Sequence, residues 1–513
     1  MTLQEVLERA AWRLGQKLFL YGDSRESTYE GAVERARKIA GALASLGVRR
    51  GDRVGIFAVN STDYVLAMLG AWNLGAIAAL VDARHAASLD YYVNDADIGV
   101  LLFGRSLAEA VERKRPELKG VRHYVCLDGS GEGVQGALSF QHLADSAKPV
   151  RKDVADTDPC HLSYTSGSTG APKGAVLAHE PTAAAVSCIA ERLRLRQDDV
   201  TLGPTVLSSS YHLVANLLPG MTRGCAVGIM SSFRPAEAWR IIRERGVSAF
   251  VANPLLLADL FNEWRDRKLD KETLRIAVSG GGPVPPDLKR AYQERMKVPL
   301  VESYGMSELG GFVALGDPEP YREEHFSAIG PILPDKDVII GDENDREAPI
   351  GREGEILLRR GFMWGYWRRP EATEKTLRNG WLHTGDIGRM DAKGYLYLLA
   401  RKGEEIRWGK KTVYPRLIEE ALYRNPAVQY SAVIGVPDEK AGEKPKAIVS
   451  LYAGKRAEET ELRETVRREL GAEEIPPVFE VLEEMPMTVT GKINKAFLKE
   501  REARLREGSD AAS

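Results

Sequence analysis

Cysteine is scarce in this chain. Its 513 residues contain four, Cys126, Cys160, Cys188 and Cys225, far apart and without any C-x-x-C spacing. That excludes a zinc ribbon and a small disulfide scaffold, and makes a reducing cytoplasm the expected home. An excess of charge of either sign is missing too. With 71 Lys and Arg against 73 Asp and Glu, the net charge of -2 gives no reason to expect a nucleic-acid partner. The first fifteen residues lack the apolar centre of a secretory signal, because Glu5, Glu8, Arg9 and Arg13 break it up, and they read instead as an amphipathic surface helix. Nor is there an unbroken apolar run of membrane-spanning length. The uncharged stretch 64–81 is interrupted by Gly70, Asn73 and Gly75. It reads as a buried helix running into a strand over 76–81, so no integral membrane segment is expected.

What the chain does have is the run Tyr164-Thr165-Ser166-Gly167-Ser168-Thr169-Gly170-Ala171-Pro172-Lys173-Gly174, with four Ser/Thr hydroxyls, three glycines and one lysine in eleven residues. Glycines let successive backbone N–H groups point into one concavity, hydroxyls add donors, and Lys173 supplies a full positive charge. A polyphosphate fits such a loop. It is not a Walker A loop, since Pro172 stands where the second glycine belongs, and Gly174 where a Ser or Thr should bind magnesium. The flanking residues 161–164 and 175–178 read as short strands, which predicts a hairpin rather than a strand-to-helix turn.

A chain this long exceeds what one hydrophobic core serves, so two or more domains are expected. Strand-like runs at 54–58, 98–103, 249–252 and 274–278 alternate with helical stretches at 29–46, 235–245 and 286–296, the pattern of parallel sheets covered by helices. After Ile350 the texture changes to short strands and turns. Beyond Arg401 a third pattern appears: helix 415–423, strands 430–436 and 447–451, helix 457–470 and a last helix from Lys495, which makes a small α+β domain.

With the phosphate loop in view, the chain resembles the acyl-adenylate-forming enzymes: acyl- and aryl-CoA synthetases, adenylation domains of peptide synthetases, and luciferases. Four more motifs follow in that family's order. They are Tyr304-Gly305-Met306-Ser307-Glu308, Trp381-Leu382-His383-Thr384-Gly385-Asp386, Arg401 before a Lys/Arg/Gly-rich turn, and Pro486-Met487-Thr488-Val489-Thr490-Gly491-Lys492. The resemblance implies an α/β fold, with a large N-terminal AMP-binding domain (1–401) of helix-covered sheets plus a smaller barrel-like part. A small mobile C-terminal domain (402–513) would follow, hinged near Arg401 to Gly403.

It also implies roles. Thr165, Ser166, Gly167, Ser168, Thr169 and Lys173 would hold the β- and γ-phosphates of ATP. Tyr304, within Tyr304-Gly305, would lie against adenine, and Gly280, Gly281 and Gly282 would allow close approach to the base. Glu308 resembles the Mg2+ ligand, Asp386 the acceptor from both ribose hydroxyls, and Arg401 its companion, while Ser307 keeps the hydroxyl of the usual Thr. Lys492 resembles the lysine that bridges the attacking carboxylate and the α-phosphate. With Thr165 and Glu308 it makes the expected catalytic set. Each residue alone has a structural alternative: Tyr304 as a core aromatic, Asp386 as a turn cap, Glu308 as an exposed helix charge, Lys492 as a solvated charge.

The acyl pocket is expected near Tyr211, His212, Asn253, Met306 and Gly311, mostly small or apolar and with no Asp to pair with an ammonium. An apolar aliphatic acid is therefore favoured over an amino acid, with an aryl or cyclic acid as the alternative. For CoA the path is expected at Trp408, Gly409 and Lys410, although Lys410 stands where relatives have a glycine that admits the pantetheine arm. Three functions follow: an ATP-dependent acyl-CoA synthetase; an adenylating enzyme with another acceptor, a carrier-protein thiol or an amine; and a nucleotide-binding protein without catalysis.

Overall fold

The helix Thr62–Asn73 is buried along its whole length. Ser61 caps it by accepting from the N–H of Tyr64 at 3.1 Å, and an apolar face all the way round sends it to the interior. Gly70 sets how close it comes to the helix Tyr29–Ser45, because a Cβ there would lie 2.3 Å from Ile39 Cγ2. The computed structural model describes all residues except 23–24, 166–170, 268–272, 453, 472–475, 488–492 and 511–513.

These helices lie in a core that joins two sheets. Val54 and Ile56 come to it from one sheet, Ile276 and Val278 from the other. The first sheet has seven strands in the order Leu138–Ser139, His123–Cys126, Ile98–Phe103, Arg53–Phe57, Ile77–Val81, Pro159–Tyr164 and Gly174–Ala178. All its pairs are parallel except the last, where Tyr164 stands opposite Gly174, so the phosphate loop does close a hairpin. The second sheet has eight strands, and its parallel centre runs Leu300–Tyr304, Ile276–Ser279, Ala249–Ala252, Val200–Gly203, Ala226–Ile229. Buried on both faces, these strands read as near-continuous apolar runs. No helix among the described residues is long and apolar enough to cross a membrane.

The smaller part is a six-stranded antiparallel sheet built chiefly on Gly354–Leu358, Trp381–Met390 and Tyr395–Arg401. Beyond Arg401 stands a five-stranded sheet with the helices Pro415–Leu422 and Glu459–Leu470. The Lys/Arg/Gly-rich turn expected after Arg401 is a hairpin of Ile406–Trp408 with Lys411–Val413. Val478–Leu482 adds a further strand that the sequence reading did not foresee.

One seam joins this last part to the large one. Lys289 and Glu302, 1% and 2% exposed, pair at 2.5 Å inside the large part. Arg416, from the helix Pro415–Leu422, reaches the other oxygen of Glu302 at 3.1 Å and its own neighbour Glu420 at 2.6 Å. Carbonyls of Phe326 and Ala328 accept from the Lys289 ammonium at 3.1 and 3.3 Å, completing a buried and hydrogen-bonded row of four charges.

Candidate active site

Thr165 follows the strand Pro159–Tyr164, and its N–H donates to the Lys173 carbonyl at 3.0 Å, closing the neck of the hairpin. Its hydroxyl oxygen is buried and has no hydrogen-bond partner among the described residues. A buried unpaired hydroxyl is costly, and an anion in the loop would satisfy it. Ser166, Gly167, Ser168 and Thr169 lie outside the described residues, as does Lys492. The chain on either side of residues 488–492 meets in an isolated bridge between Met487 and Ile493.

The Lys173 ammonium has no carboxylate partner among the described residues. It stands 4.5 Å from the ring centre of Tyr366. The Tyr366 hydroxyl in turn donates to Glu308 Oε1 at 2.5 Å. Glu308 is 6% exposed and sits in a turn, not at the start of a helix, so the reading of an exposed helix charge is overturned. Segment 362–367 is stitched to both neighbours. Val176 and Gly174 exchange backbone hydrogen bonds with Trp364, Gly365 and Trp367 at 2.8–3.0 Å. On its other edge Met363 donates to the Glu308 carbonyl at 2.7 Å, and Phe362 bridges Leu309. Gly365, at φ +152°, leaves no room for a Cβ against Thr373.

A second cluster gathers around Asp386. The strand pairing sets it directly opposite Arg401, whose Nη1 lies 3.7 Å from Oδ1. The Tyr304 hydroxyl donates to Oδ2 at 2.6 Å. Burial, and then the charge of Asp386, push the Tyr304 phenol well above its usual range, so it stays a donor. Asp386 is thus a strand residue in a charged pair rather than a turn cap. Behind it, Glu355 accepts from the Gly385 N–H at 3.0 Å and from the Lys402 ammonium at 2.8 Å. Burial would raise the Glu355 carboxyl, but Lys402, His383 and the Gly385 N–H outweigh it and hold it below its usual range.

The glycine run closes this side. A Cβ on Gly280 would come within 2.3 Å of Ser303 Oγ and 2.6 Å of Tyr211 Cε2, while Gly281, at φ +79°, and Gly282 have open space. Tyr211 is anchored by donating to the carbonyls of Val278 at 3.1 Å and Ala252 at 3.3 Å, with Phe312 6.0 Å away, ring to ring. Met306 packs beside Tyr304, and Gly311 touches Ala185, where a Cβ would lie 2.5 Å away. His212 is more enclosed than a pocket wall. Its Nδ1–H donates to the Thr205 carbonyl at 2.6 Å, and Nε2 accepts from Asn216 at 3.3 Å. Burial pushes it down to about 4, so it is neutral.

Away from these clusters, Trp408 pairs with Lys411, and Gly409-Lys410 forms the tip of the hairpin. Gly403 has φ +86° with open space around it, so the place expected for a hinge does use the left-handed region. Lys495, three residues after Lys492, reaches Glu419 at 2.7 Å and Glu404 beside the hinge at 3.7 Å.

The donor set suits magnesium bound with phosphates. Among the described residues no three His, Cys, Asp or Glu gather into an all-protein cage, so a cation at Glu308 would take its other oxygens from phosphate and water. Tyr366 and Glu355 escaped the sequence reading. Their partners lie 58 and 28 or more residues away, and the aromatic-rich run Phe362-Met363-Trp364-Gly365-Tyr366-Trp367 was the one available signal.

Comparison with known proteins agrees with this geometry. Residues 7–367 match the family described as AMP-binding enzyme, and residues 417–492 its C-terminal domain. A feruloyl-CoA synthase from an Amycolatopsis species is 32% identical over 477 residues, covering 92% of this chain and 94% of that one. A long-chain-fatty-acid–CoA ligase from Bacillus subtilis is 29% identical over 540 residues, covering 98% and 94%. An anthranilate CoA ligase solved with anthranoyl-AMP superposes with a TM-score of 0.90 at 26% identity, over 98% of this chain and 97% of that one.

Proposed function

The chain belongs to the family of AMP-binding enzymes, and from that premise we propose that it activates an apolar carboxylic acid with ATP and passes the acyl group to CoA. A carboxylate is a poor electrophile because its charge is delocalised and its leaving group would be oxide. Its oxygen instead attacks the α-phosphorus of ATP in line, pyrophosphate departs, and an acyl-AMP remains. The thiol of CoA then attacks the acyl carbon, the acyl–phosphate bond breaks, and AMP leaves. The protein's task in both steps is positioning and charge stabilisation.

The observation that carries this reading is that one short segment, residues 304–308, takes part in two clusters: Thr165, Lys173 and Glu308 in one, Tyr304, Asp386 and Arg401 in the other. Thr165 and Lys173 would hold the outer phosphates, with Ser166, Gly167, Ser168 and Thr169. Asp386 would accept from the ribose hydroxyls beside Arg401. Gly281 and Gly282 would admit the base. Glu308 would hold Mg2+, which when bound neutralises charge on the phosphates. Lys492 would bridge the carboxylate and the α-phosphate. Residues 402–513 would turn about Gly403 between the two steps and bring the hairpin tip at Gly409-Lys410 to the thiol path.

The mostly apolar wall supports a fatty-acid-like substrate. The ring pair of Tyr211 and Phe312 gives specific support to the second reading, an aryl acid. A panel of aliphatic, benzoic-type and cinnamic-type acids tests both, with pyrophosphate release and thioester formation followed together. One class is expected to stand out, with thioester appearing only when CoA is present. Pyrophosphate without thioester would make the acceptor a carrier-protein thiol or an amine; no pyrophosphate with any acid would favour a protein that binds nucleotide without catalysis. Lys492→Ala should slow adenylation by about 100-fold or more. It should spare transfer from a preformed acyl-adenylate, and a variant that adenylates normally would remove Lys492 from its role.

A further inference from the structure

One side chain touches both the lysine expected at the phosphates and the glutamate expected at the metal, and no motif had singled it out. Tyr366 is 8% exposed, and its backbone N–H donates to Thr373 Oγ1 at 2.9 Å. Pairing with the strand Gly174–Ala178 on one edge and with Leu309 and Glu308 on the other fixes where its ring stands. The ring face meets the Lys173 ammonium at 4.5 Å, while the hydroxyl donates to Glu308 Oε1.

The chemistry of this arrangement is selective. A lysine and a glutamate this close to one tyrosine would gain by pairing with each other, yet no such pair forms among the described residues. A phenol satisfies one oxygen of a buried carboxylate without neutralising its charge, which a cationic donor would do. Likewise an aromatic face stabilises an ammonium without a counter-anion, leaving its charge for an incoming phosphate.

Resting on the function proposed above, we infer that Tyr366 is a positioning residue that holds Glu308 and Lys173 apart, each still charged and oriented, ready for magnesium and polyphosphate. The phenol orients the metal carboxylate and the ring parks the phosphate lysine. Both are released to the nucleotide without an ion pair having to break first.

Binding rather than turnover tests this. ATP carrying a methylene between the α- and β-phosphates cannot give up its AMP, and calorimetry with the full-length protein measures its affinity with and without Mg2+. In Tyr366→Phe the ring remains and the hydrogen bond is gone. Affinity without Mg2+ should stay within about twofold, while the Mg2+ concentration needed for half-maximal tightening should rise about tenfold, the usual effect of losing a partner behind a metal ligand. In Tyr366→Leu the ring is gone too, and Lys173 is free to fall onto Glu308. Affinity for the analogue should then drop several-fold even without Mg2+. An unchanged or lower Mg2+ requirement in Tyr366→Phe would overturn the inference, since the phenol would then be sequestering Glu308 or merely packing. Equal behaviour of the two variants without Mg2+ would overturn the part assigned to Lys173. If Tyr366→Leu fails to fold, Tyr366→Met at the same position takes its place. A wild-type protein that binds no Mg2+–ATP analogue would instead sink the proposed function, and this inference with it.

Discussion

Three histidines are shut inside the large part of the molecule as neutral bases. Burial pushes His161 down to about 3, with His179 nearby adding to it, and pushes His179 and His212 down to about 4. Asp158, Glu5 and Asp156 pull His179 the other way without overcoming burial. An unfolded histidine binds its proton near pH 6.5, so below that the unfolded chain holds more protons than the native one and stability falls with pH. The stability is therefore fully present above about pH 6.5, and is lost progressively toward pH 4, at about 1.4 kcal/mol per histidine per pH unit. The melting temperature should drop steadily between pH 7 and pH 5, with uptake of about two to three protons on unfolding at pH 5. A flat profile over that interval would contradict the burial of these rings as neutral groups. At the same scale, the sequence made Glu308, Asp386, Arg401 and Lys173 legible through short motifs. It hid Tyr366 and Glu355, because their importance lies in contacts to distant segments, and it placed His212 on a pocket wall where the fold instead locks both ring nitrogens.

The hairpin Ile406–Trp408 and Lys411–Val413 turns on two residues. Gly409 has φ +62°, and Lys410 is not in the left-handed region, the φ signature of a type II′ turn, whose first central position calls for glycine. Gly409 therefore has a reason to be glycine before any thiol passes it. Gly409→Ala should cost about 1–2 kcal/mol, the strain of a side chain in the left-handed region, seen as a lower melting temperature with pyrophosphate release intact. A variant as stable as the parent would mean that the turn readily adopts another form. Among the other elements, the helix Pro235–Arg245 was readable to the residue, because Pro235 opens it and Gly246, at φ +63°, closes it. The stretch 286–296 was readable in its bounds but not in its type. It is α-helical over Pro286–Arg290 and then widens into a π-helical turn over Ala291–Met296, a rare form that apolar periodicity does not distinguish from an α-helix. Val478–Leu482 becomes a strand by pairing with Lys446–Ser450 in parallel, a partner that local pattern does not reveal.

At the scale of the whole molecule, the alternation of strands and helices announced the two covered sheets, and the change of texture after Ile350 announced the antiparallel part. The joint between the large and small parts was not announced, because its charges come from three separate places in the chain: Lys289, Glu302 and the helix that carries both Arg416 and Glu420. Arg416→Met should leave Glu420 buried without its partner, at a cost on the order of 3–5 kcal/mol to the closed arrangement. Small-angle scattering should show a more extended particle, and proteolysis near residues 402–405 should speed up. Adding Glu420→Gln to Arg416→Met removes both charges of the small part and should restore the compact form. If the double variant is as extended as the single one, charge balance is not what keeps the parts together.

The four charges of that joint cancel, and so does each half of it. Parting between Glu302 and Arg416 leaves Lys289 with Glu302 on one face and Arg416 with Glu420 on the other, two self-neutral surfaces. Such a fastening opens and closes without moving net charge between interior and water. Added salt, which screens bare charges, finds no unpaired charge of this row to favour in either position. If the small part swings as proposed, this fastening should weigh the same in dilute buffer and in the salt of a living cell.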